Sequence, residues 1–304
     1  MAITAKMVKE LRERTGSGMM DCKNVLKETN GDIEKAIEVL REKGLATAAK
    51  KAGRIAAEGL VKEILSPDFK TAAIVEINSE TDFVAKNEQF ISFVDTVATL
   101  VLNNDISTLE ELKALAWTEE PTKTVEDILV ERISTIGENL SIRRFVRRTT
   151  NGAFASYTHG GGKIVSIVEI ESDVDSAKIQ AVGRDIAMQV AAVSPEFIST
   201  NDVSDEKKEH EKAILLAQAI NEQPDKPESI LEKMVMGRLN KQLKDICLLE
   251  QAYIKDGDLT VKKYITNELG SADAIKSFVR FETGEGIEKK EENFAEEVAR
   301  QMQG

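Results

Sequence analysis

With 53 acidic against 41 basic side chains, this 304-residue chain has a formal net charge of -12, which argues against a general grip on a phosphate backbone and against nucleic acid as a direct partner. Its two cysteines, Cys22 and Cys247, stand far apart in no paired motif, which excludes a disulfide framework or a zinc knuckle and fits a reducing compartment. The first residues, Met1-Ala2-Ile3-Thr4-Ala5-Lys6, hold no apolar signal core, and no apolar run approaches the ~20 residues of a membrane span, so a soluble cytoplasmic protein without a membrane partner is expected.

Thr4 can cap a helix bearing Met7, Val8 and Leu11, which Gly16-Ser17-Gly18 stops; a second helix runs from about Met20 to Lys27 and turns at Asn30-Gly31. Asp32 then caps a third helix whose Ile33, Ala36, Ile37 and Leu40 recur at i, i+3, i+4 and i+7, with Gly44 near its end. Three short helices make one compact unit over residues 1–45. Residues 46–58, rich in Ala and Lys, read as a helical or flexible linker.

A diverged repeat with a constant offset of 93 residues organises the next part of the chain. Gly59 precedes a β-like run from Leu60 to Leu65, a turn and a strand reaching Ile74-Val75-Glu76-Ile77. Gly152 precedes Ala153 to Thr158, a turn and Ile167-Val168-Glu169-Ile170. Each copy continues into a helix, through Phe90, Phe93, Val94, Val97, Leu100 and Val101 in the first and Ile179, Val182, Ile186 and Val190 in the second. Two related subdomains, 59–150 and 151–283, are implied, each a β-hairpin sheet with helices covering one face, in an α+β fold.

In the first copy the strand is punctuated by Asn78 and Ser79, so Thr81-Asp82-Phe83-Val84 falls in the strand-to-helix turn. A large apolar side chain beside a carboxylate in a surface loop suits a plug for another molecule's pocket. Phe83 also lies seven residues before Phe90, where a longer helix would place it on the buried stripe. Periodicity leaves both readings open.

Within the second copy, residues 204–249 form an antiparallel helical hairpin. Charged residues flank Ile214, Leu215 and Ile220, Gln223-Pro224-Asp225-Lys226-Pro227 must turn, and Leu231, Met234, Val235, Leu239, Leu243 and Ile246 mark the return helix. The narrow apolar seam suits a projecting arm of coiled-coil type. Leu259 to Leu269 then reads as a helix and Ala274 to Glu282 as a strand. Gly284-Glu285-Gly286 opens a carboxy-terminal module, 284–304, an amphipathic helix bearing Ile287, Phe294, Val298 and Met302 whose stripe should dock.

The sequence offers little covalent chemistry. His159-Gly160-Gly161-Gly162 could supply oxyanion-hole amides, but the Gly-x-Ser-x-Gly nucleophile elbow of an esterase is missing, and Gly162-Lys163-Ile164 lacks the hydroxyl residue of a phosphate loop. A hairpin turn explains these glycines. With only His159 and His210 available, neither a histidine metal site nor a catalytic triad assembles, so no cofactor, metal or enzyme activity is expected.

Four separated motifs resemble one family. Val8-Lys9-Glu10-Leu11-Arg12-Glu13-Arg14-Thr15-Gly16 with Gly18-Met19-Met20-Asp21-Cys22-Lys23 is similar to the opening of the bacterial elongation factor Ts proteins. So are Asn78 to Lys86 around Thr81-Asp82-Phe83-Val84, Ile136-Gly137-Glu138-Asn139 before Ile142-Arg143-Arg144, and Gly284-Glu285-Gly286-Ile287-Glu288-Lys289. The similarity spans nearly the whole chain in order. It implies a guanine nucleotide exchange factor for elongation factor Tu, the GTPase that carries aminoacyl-tRNA to the ribosome. It also implies a first module like ubiquitin-associated three-helix domains, a two-part core, a protruding helical hairpin and a carboxy-terminal module.

Carried over by motif, Asp82 and Phe83, within Thr81 to Val84, would enter the partner's nucleotide domain and disturb its magnesium and phosphate site. Met19, Met20 and Lys23 would touch that domain through the first module, and Ile136, Gly137 and His159 would add contacts from the core. At Gln189 and at Ile254-Lys255 the chain departs from the family pattern, and no contact is carried over there. A ubiquitin-binding scaffold would rest on the first module alone and would leave the repeated core unexplained.

Overall fold

Capping chemistry sets the first helices of the computed structural model, which describes residues 2–224 and 226–288. Thr4 Oγ1 accepts the Met7 N–H (3.3 Å) to open α1 (Ala5–Thr15), and Gly16, left-handed at φ 66°, closes it. Helix α2 (Met19–Glu28) ends at the Asn30-Gly31 turn, and Asp32 accepts the Lys35 N–H (3.1 Å) to open α3 (Ile33–Lys51). Val8, Leu11, Cys22, Val25, Leu26 and Ala36 close the core of this three-helix cluster.

Gly44 does not end α3, contrary to the sequence expectation. The Ala- and Lys-rich stretch after it has high helix propensity and extends the helix to Lys51, so much of the expected linker is helical. Gly44 instead lies against α6 (Val125–Ile136), where a Cβ would stand 3.6 Å from Val130.

The first repeat copy contains β1 (Glu58–Leu65), β2 (Thr71–Ser79) and α4 (Glu88–Asn103), followed by α5 (Leu109–Ala114), α6 and β3 (Ser141–Thr149); the sheet order is β1-β2-β3. Phe90, Phe93, Val94 and Val97 of α4 are buried, and Phe93 stacks on Trp117 with centroids 5.5 Å apart. Capping boxes at Thr108/Glu111 and Thr124/Asp127 open α5 and α6. Strand β3 escapes a periodicity reading because Ser-Ile-Arg-Arg-Phe-Val-Arg-Arg groups its apolar residues instead of alternating them.

The second copy contains β4 (Ala153–His159), antiparallel to β5 (Ile164–Ile170), and α7 (Ser176–Val193). Next come α8 (Asp205–Glu222), α9 (Glu228–Ile246), the short pair β6 (Ala252–Tyr253) and β7 (Asp256–Thr260), α10 (Val261–Leu269) and β8 (Ile275–Glu282). The larger sheet has order β4-β5-β8, and Val168, Ile170, Ile186 and Val190 share one core with Leu248, Val261 and Ile265. Leu259 lies in β7, not in the helix expected from it, because Thr260 caps α10 one residue later. In the α8/α9 hairpin the seam is Leu215, Ala219, Leu231, Val235 and Leu239. Ile214 and Ile220, expected on that seam, flank the i, i+4 pair Leu215/Ala219 and are exposed.

The chain divides into two compact units, one of the segments ending at Lys62, Ala73–Arg147 and the described residues from Glu282, the other of Glu63–Ala72 and Arg148–Phe281. Among the described residues there are ten α-helices and eight strands in small sheets, a mixed α+β protein. Phe294, Val298 and Met302 of the expected carboxy-terminal helix lie outside the described residues.

The repeat is physical. A Cβ on Gly59 would fall 2.2 Å from the Ile77 carbonyl oxygen, and a Cβ on Gly152 would fall 2.1 Å from that of Ile170. Both pairs of positions are related by the same 93-residue offset, so each copy admits only glycine where its first strand crosses its second.

Candidate functional site

Strand β2 ends at Ser79 and α4 begins at Glu88, so eight residues must bridge them. Val84 and Ala85 turn inward and are buried in a single 3-10 turn, Val84–Lys86, which anchors the bridge from below. Phe83, immediately before that turn, is 79% exposed, so the core-packing alternative is excluded. Leaving the ring in water forgoes ~1.5–3 kcal/mol of burial. Lys86 Nζ pairs with Asp82 Oδ2 at 3.0 Å and stands 5.9 Å from the Phe83 ring centroid. That pair is exposed, so it contributes little to stability.

The bridge is tied to the turn after α6. Gly137 ends α6 in the left-handed conformation (φ 87°), and its carbonyl accepts a bond from Lys51 Nζ. The next residue, Glu138, takes the Thr81 N–H on Oε2 (3.0 Å) and the Thr81 hydroxyl on Oε1 (2.6 Å). Glu80 returns the arrangement, its Oε1 accepting the Asn139 N–H at 2.6 Å, while Asn139 Nδ2 donates to the Arg54 carbonyl (2.8 Å). Thus Thr81 to Val84 and Ile136 to Asn139 form one cluster. Ile136 is half-buried and Gly137 exposed within it.

The remaining residues singled out by sequence lie elsewhere. Met19 (57%) and Met20 (64%) are exposed on α2 beside exposed Lys23. His159 is exposed at the end of β4 in the other unit, with Tyr157 Oη 3.2 Å from its Nδ1.

Two polar clusters were not anticipated. Glu76, fully buried in β2, accepts bonds from Gly284 N (2.8 Å), Arg143 Nη1 (2.9 Å), Asn78 Nδ2 (3.1 Å) and Arg144 Nε (2.6 Å). Burial opposes its ionisation, but these four donors outweigh burial and hold the carboxyl below the usual glutamate range. Arg144 also pairs with Glu285 at 3.0 Å, so the Gly284-Glu285-Gly286 turn is fixed to this buried carboxylate.

In the second unit Asp185 accepts the hydroxyls of Tyr253 and Tyr264, both at 3.0 Å, and pairs with Lys255. Burial is the main force pushing the Tyr264 phenol up to about 12, and the nearby carboxylate adds to it. Gln189 Oε1 accepts the Ile254 N–H at 2.9 Å. Gln189 and Ile254, for which the resemblance carries over no contact, therefore touch each other.

Among the described residues no group of three or more His, Cys, Asp or Glu is placed to hold a metal ion, and no helix is long and apolar enough to cross a membrane. The fold and this cluster define a mixed α+β protein, built on a repeated hairpin-and-helix unit, that presents an aromatic side chain on a pinned loop. The model for the family Elongation factor TS matches residues 80–285. The chain is 57% identical to elongation factor Ts of Clostridium perfringens (strain SM101 / Type A) over 98% of each chain. It is 55% identical to that of Clostridium botulinum (strain Eklund 17B / Type B), over 99% of each, and 53% identical to that of Clostridium kluyveri (strain NBRC 12016), again over 99% of each. The chain belongs to the elongation factor Ts family.

Proposed function

We propose that this chain is the guanine nucleotide exchange factor for elongation factor Tu in translation elongation, acting on the GDP-bound GTPase without making or breaking a covalent bond. Family membership supports the partner, and the observation that carries the mechanism is the 79% exposure of Phe83 on a loop whose neighbours are buried or bonded.

A GTPase of this kind holds its nucleotide through Mg²⁺ and a phosphate-cradling loop, so a wedge that displaces those elements lowers affinity for the diphosphate. Phe83 supplies the apolar volume of that wedge and Asp82 the charge beside it, while Thr81 and Val84 anchor the loop. Met19, Met20 and Lys23 serve as a separate docking patch on the first module, and Ile136, Gly137 and His159 add contact area. Linkage requires reciprocity: GDP weakens binding of this chain by the same factor by which this chain weakens binding of GDP, which keeps the complex transient.

The architecture behind this function comprises a ubiquitin-associated-like module at 1–45, a connection at 46–58, core subdomains 59–150 and 151–283 with a coiled-coil arm at about 204–249, and a terminal module from 284. The protein works in the cytoplasm. Elongation factor Tu loaded with fluorescent GDP tests the function: adding this chain with excess unlabelled GDP should speed loss of signal at least ~100-fold, and an unchanged rate at saturating concentration would contradict it.

A further inference from the structure

The Phe83 loop has an unusual physical problem. It must keep an apolar ring in water, where neighbouring side chains give it almost no packing to hold its direction. A loop held only by its own backbone would sample many directions. The affinity of a wedge for its pocket then falls by the fraction of time it spends in the competent one.

The structure solves this with two glutamates that exchange hydrogen bonds between chain segments 57 to 59 residues apart. Glu138, just past α6, takes both the N–H and the hydroxyl of Thr81, two residues before Phe83. Glu80, just past β2, takes the N–H of Asn139, the residue after Glu138. Inside this crossed pair Ser79 Oγ also donates to the Thr81 carbonyl at 2.9 Å, so all three polar groups of Thr81, its N–H, carbonyl and hydroxyl, are bound. Charge-assisted bonds of this kind are the stronger class, and two bonds from one carboxylate to one residue fix direction as well as distance.

We infer that Glu138, with Thr81 as its receiver, is a positioning residue for nucleotide exchange: the Glu138–Thr81 clasp aims Phe83 before the partner arrives. This rests on the proposed role of Phe83 as the wedge. It gives the turn after α6 a task that contact with the partner alone does not require.

The test is a stopped-flow titration of GDP release from elongation factor Tu by the full-length protein, read as a plateau rate and a half-saturating concentration. Thr81→Val keeps the shape of the residue and removes the hydroxyl, whereas Thr81→Ser keeps the hydroxyl. Glu138→Ala removes both acceptors. Glu138→Ala should lower the plateau about tenfold and Thr81→Val, which leaves the N–H bond to Glu138, about threefold or more, with half-saturation changed less than about threefold in both because docking by the first module is untouched. Thr81→Ser should retain the wild-type plateau. The double variant Glu138→Ala/Thr81→Val should fall no further than Glu138→Ala, since the hydroxyl bond lost in Thr81→Val is already lost with Glu138.

Phe83→Ala, run in parallel, separates the two roles. If it loses the plateau while Glu138→Ala and Thr81→Val keep theirs, the clasp is overturned and the wedge stands. If Phe83→Ala keeps a wild-type plateau, the wedge fails and the aiming role falls with it. Losses that add in the double variant would also overturn the clasp. Should Glu138→Ala fail to fold, Thr81→Val against Thr81→Ser decides the matter alone.

Discussion

The two copies of the repeat solve the same local problem in opposite ways. In the second copy Asp175 takes the Lys178 N–H at 3.0 Å and α7 begins at once with Ser176. At the equivalent positions of the first copy, 93 residues earlier, stand Asp82 and Phe83. Asp82 turns outward to Lys86, and α4 waits until Asn87 caps it. Beyond that point the copies agree again, since Phe93, Val94, Val97 and Ala98 are buried in one and Ile186, Ala187, Val190 and Ala191 at the same offset in the other. The first copy has thus opened the initial turn of its helix and raised an aromatic ring into water. A departure from the locally favoured solution, in a unit whose twin keeps it, is what a functional constraint on this turn would produce, in keeping with the role proposed for Phe83.

A second contrast lies in the strand glutamates. Glu76 is fully buried against two arginines, whereas Glu169, at the same offset, accepts the neutral hydroxyls of Thr150 and Ser277, both at 2.6 Å. Glu76→Gln should therefore cost about 3 kcal/mol of stability, near the low end for breaking a buried pair because Arg143 and Arg144 retain 27% and 31% exposure. Glu169→Gln should cost about 1 kcal/mol. Denaturant melts at pH 7 measure both, and equal losses would erase the contrast.

The Glu76 contribution also depends on pH. Its folded-state pKa is depressed, so its stabilisation is present above the ordinary glutamate value of about 4.3 and fades as pH falls through the lower folded value. The gap between wild type and Glu76→Gln should accordingly shrink below about pH 4. A gap that widens in acid would show that Glu76 is not held ionised.

The paired glycines test the likeness of the copies. Gly59→Ala and Gly152→Ala both drive a Cβ into a carbonyl oxygen and should each cost about 1–3 kcal/mol. Gly59→Ala should be the worse of the two, because Gly59 also has φ 124°, where a side chain is strained. Thermal melts that leave either variant at the wild-type midpoint would remove that copy from the comparison. The smallest effect is expected at His159, which is exposed and meets the hydroxyl of its neighbour Tyr157. His159→Gln should change exchange by about threefold or less, as rim contacts do.

Much of the fold was legible along the chain. Thr4 and Asp32 cap where polar residues precede apolar helical spacing, and the common offset of Gly59 and Gly152 marks the repeat. Phe83 stood out because it follows a β-rich run, although Asn78 and Ser79, expected to interrupt that strand, are its last two residues and are buried. What escaped was long-range. Glu138 meets Thr81 across 57 residues and Glu76 meets Gly284 across 208, pairings that leave no local period to detect. One signal was present: a glutamate inside an otherwise apolar strand needs partners when buried, and Arg143-Arg144 could supply them. The contact between Gln189 and Ile254, across 65 residues, likewise leaves no local period to detect.

If Phe83 is kept exposed for a partner and not for the fold, then Phe83→Ala should separate stability from activity when melting temperature and GDP release from elongation factor Tu are measured on the same preparation. An aromatic anchor truncated in a partner's pocket costs at least ~2 kcal/mol, about a thirtyfold effect, whereas a ring filling its own core would cost ~3–5 kcal/mol of folding stability. The expected result is a melting temperature within a few degrees of wild type and exchange slowed at least ~10-fold, with Asp82→Ala intermediate. A large drop in melting temperature, or a stable variant with undiminished exchange, would remove Phe83 from that role.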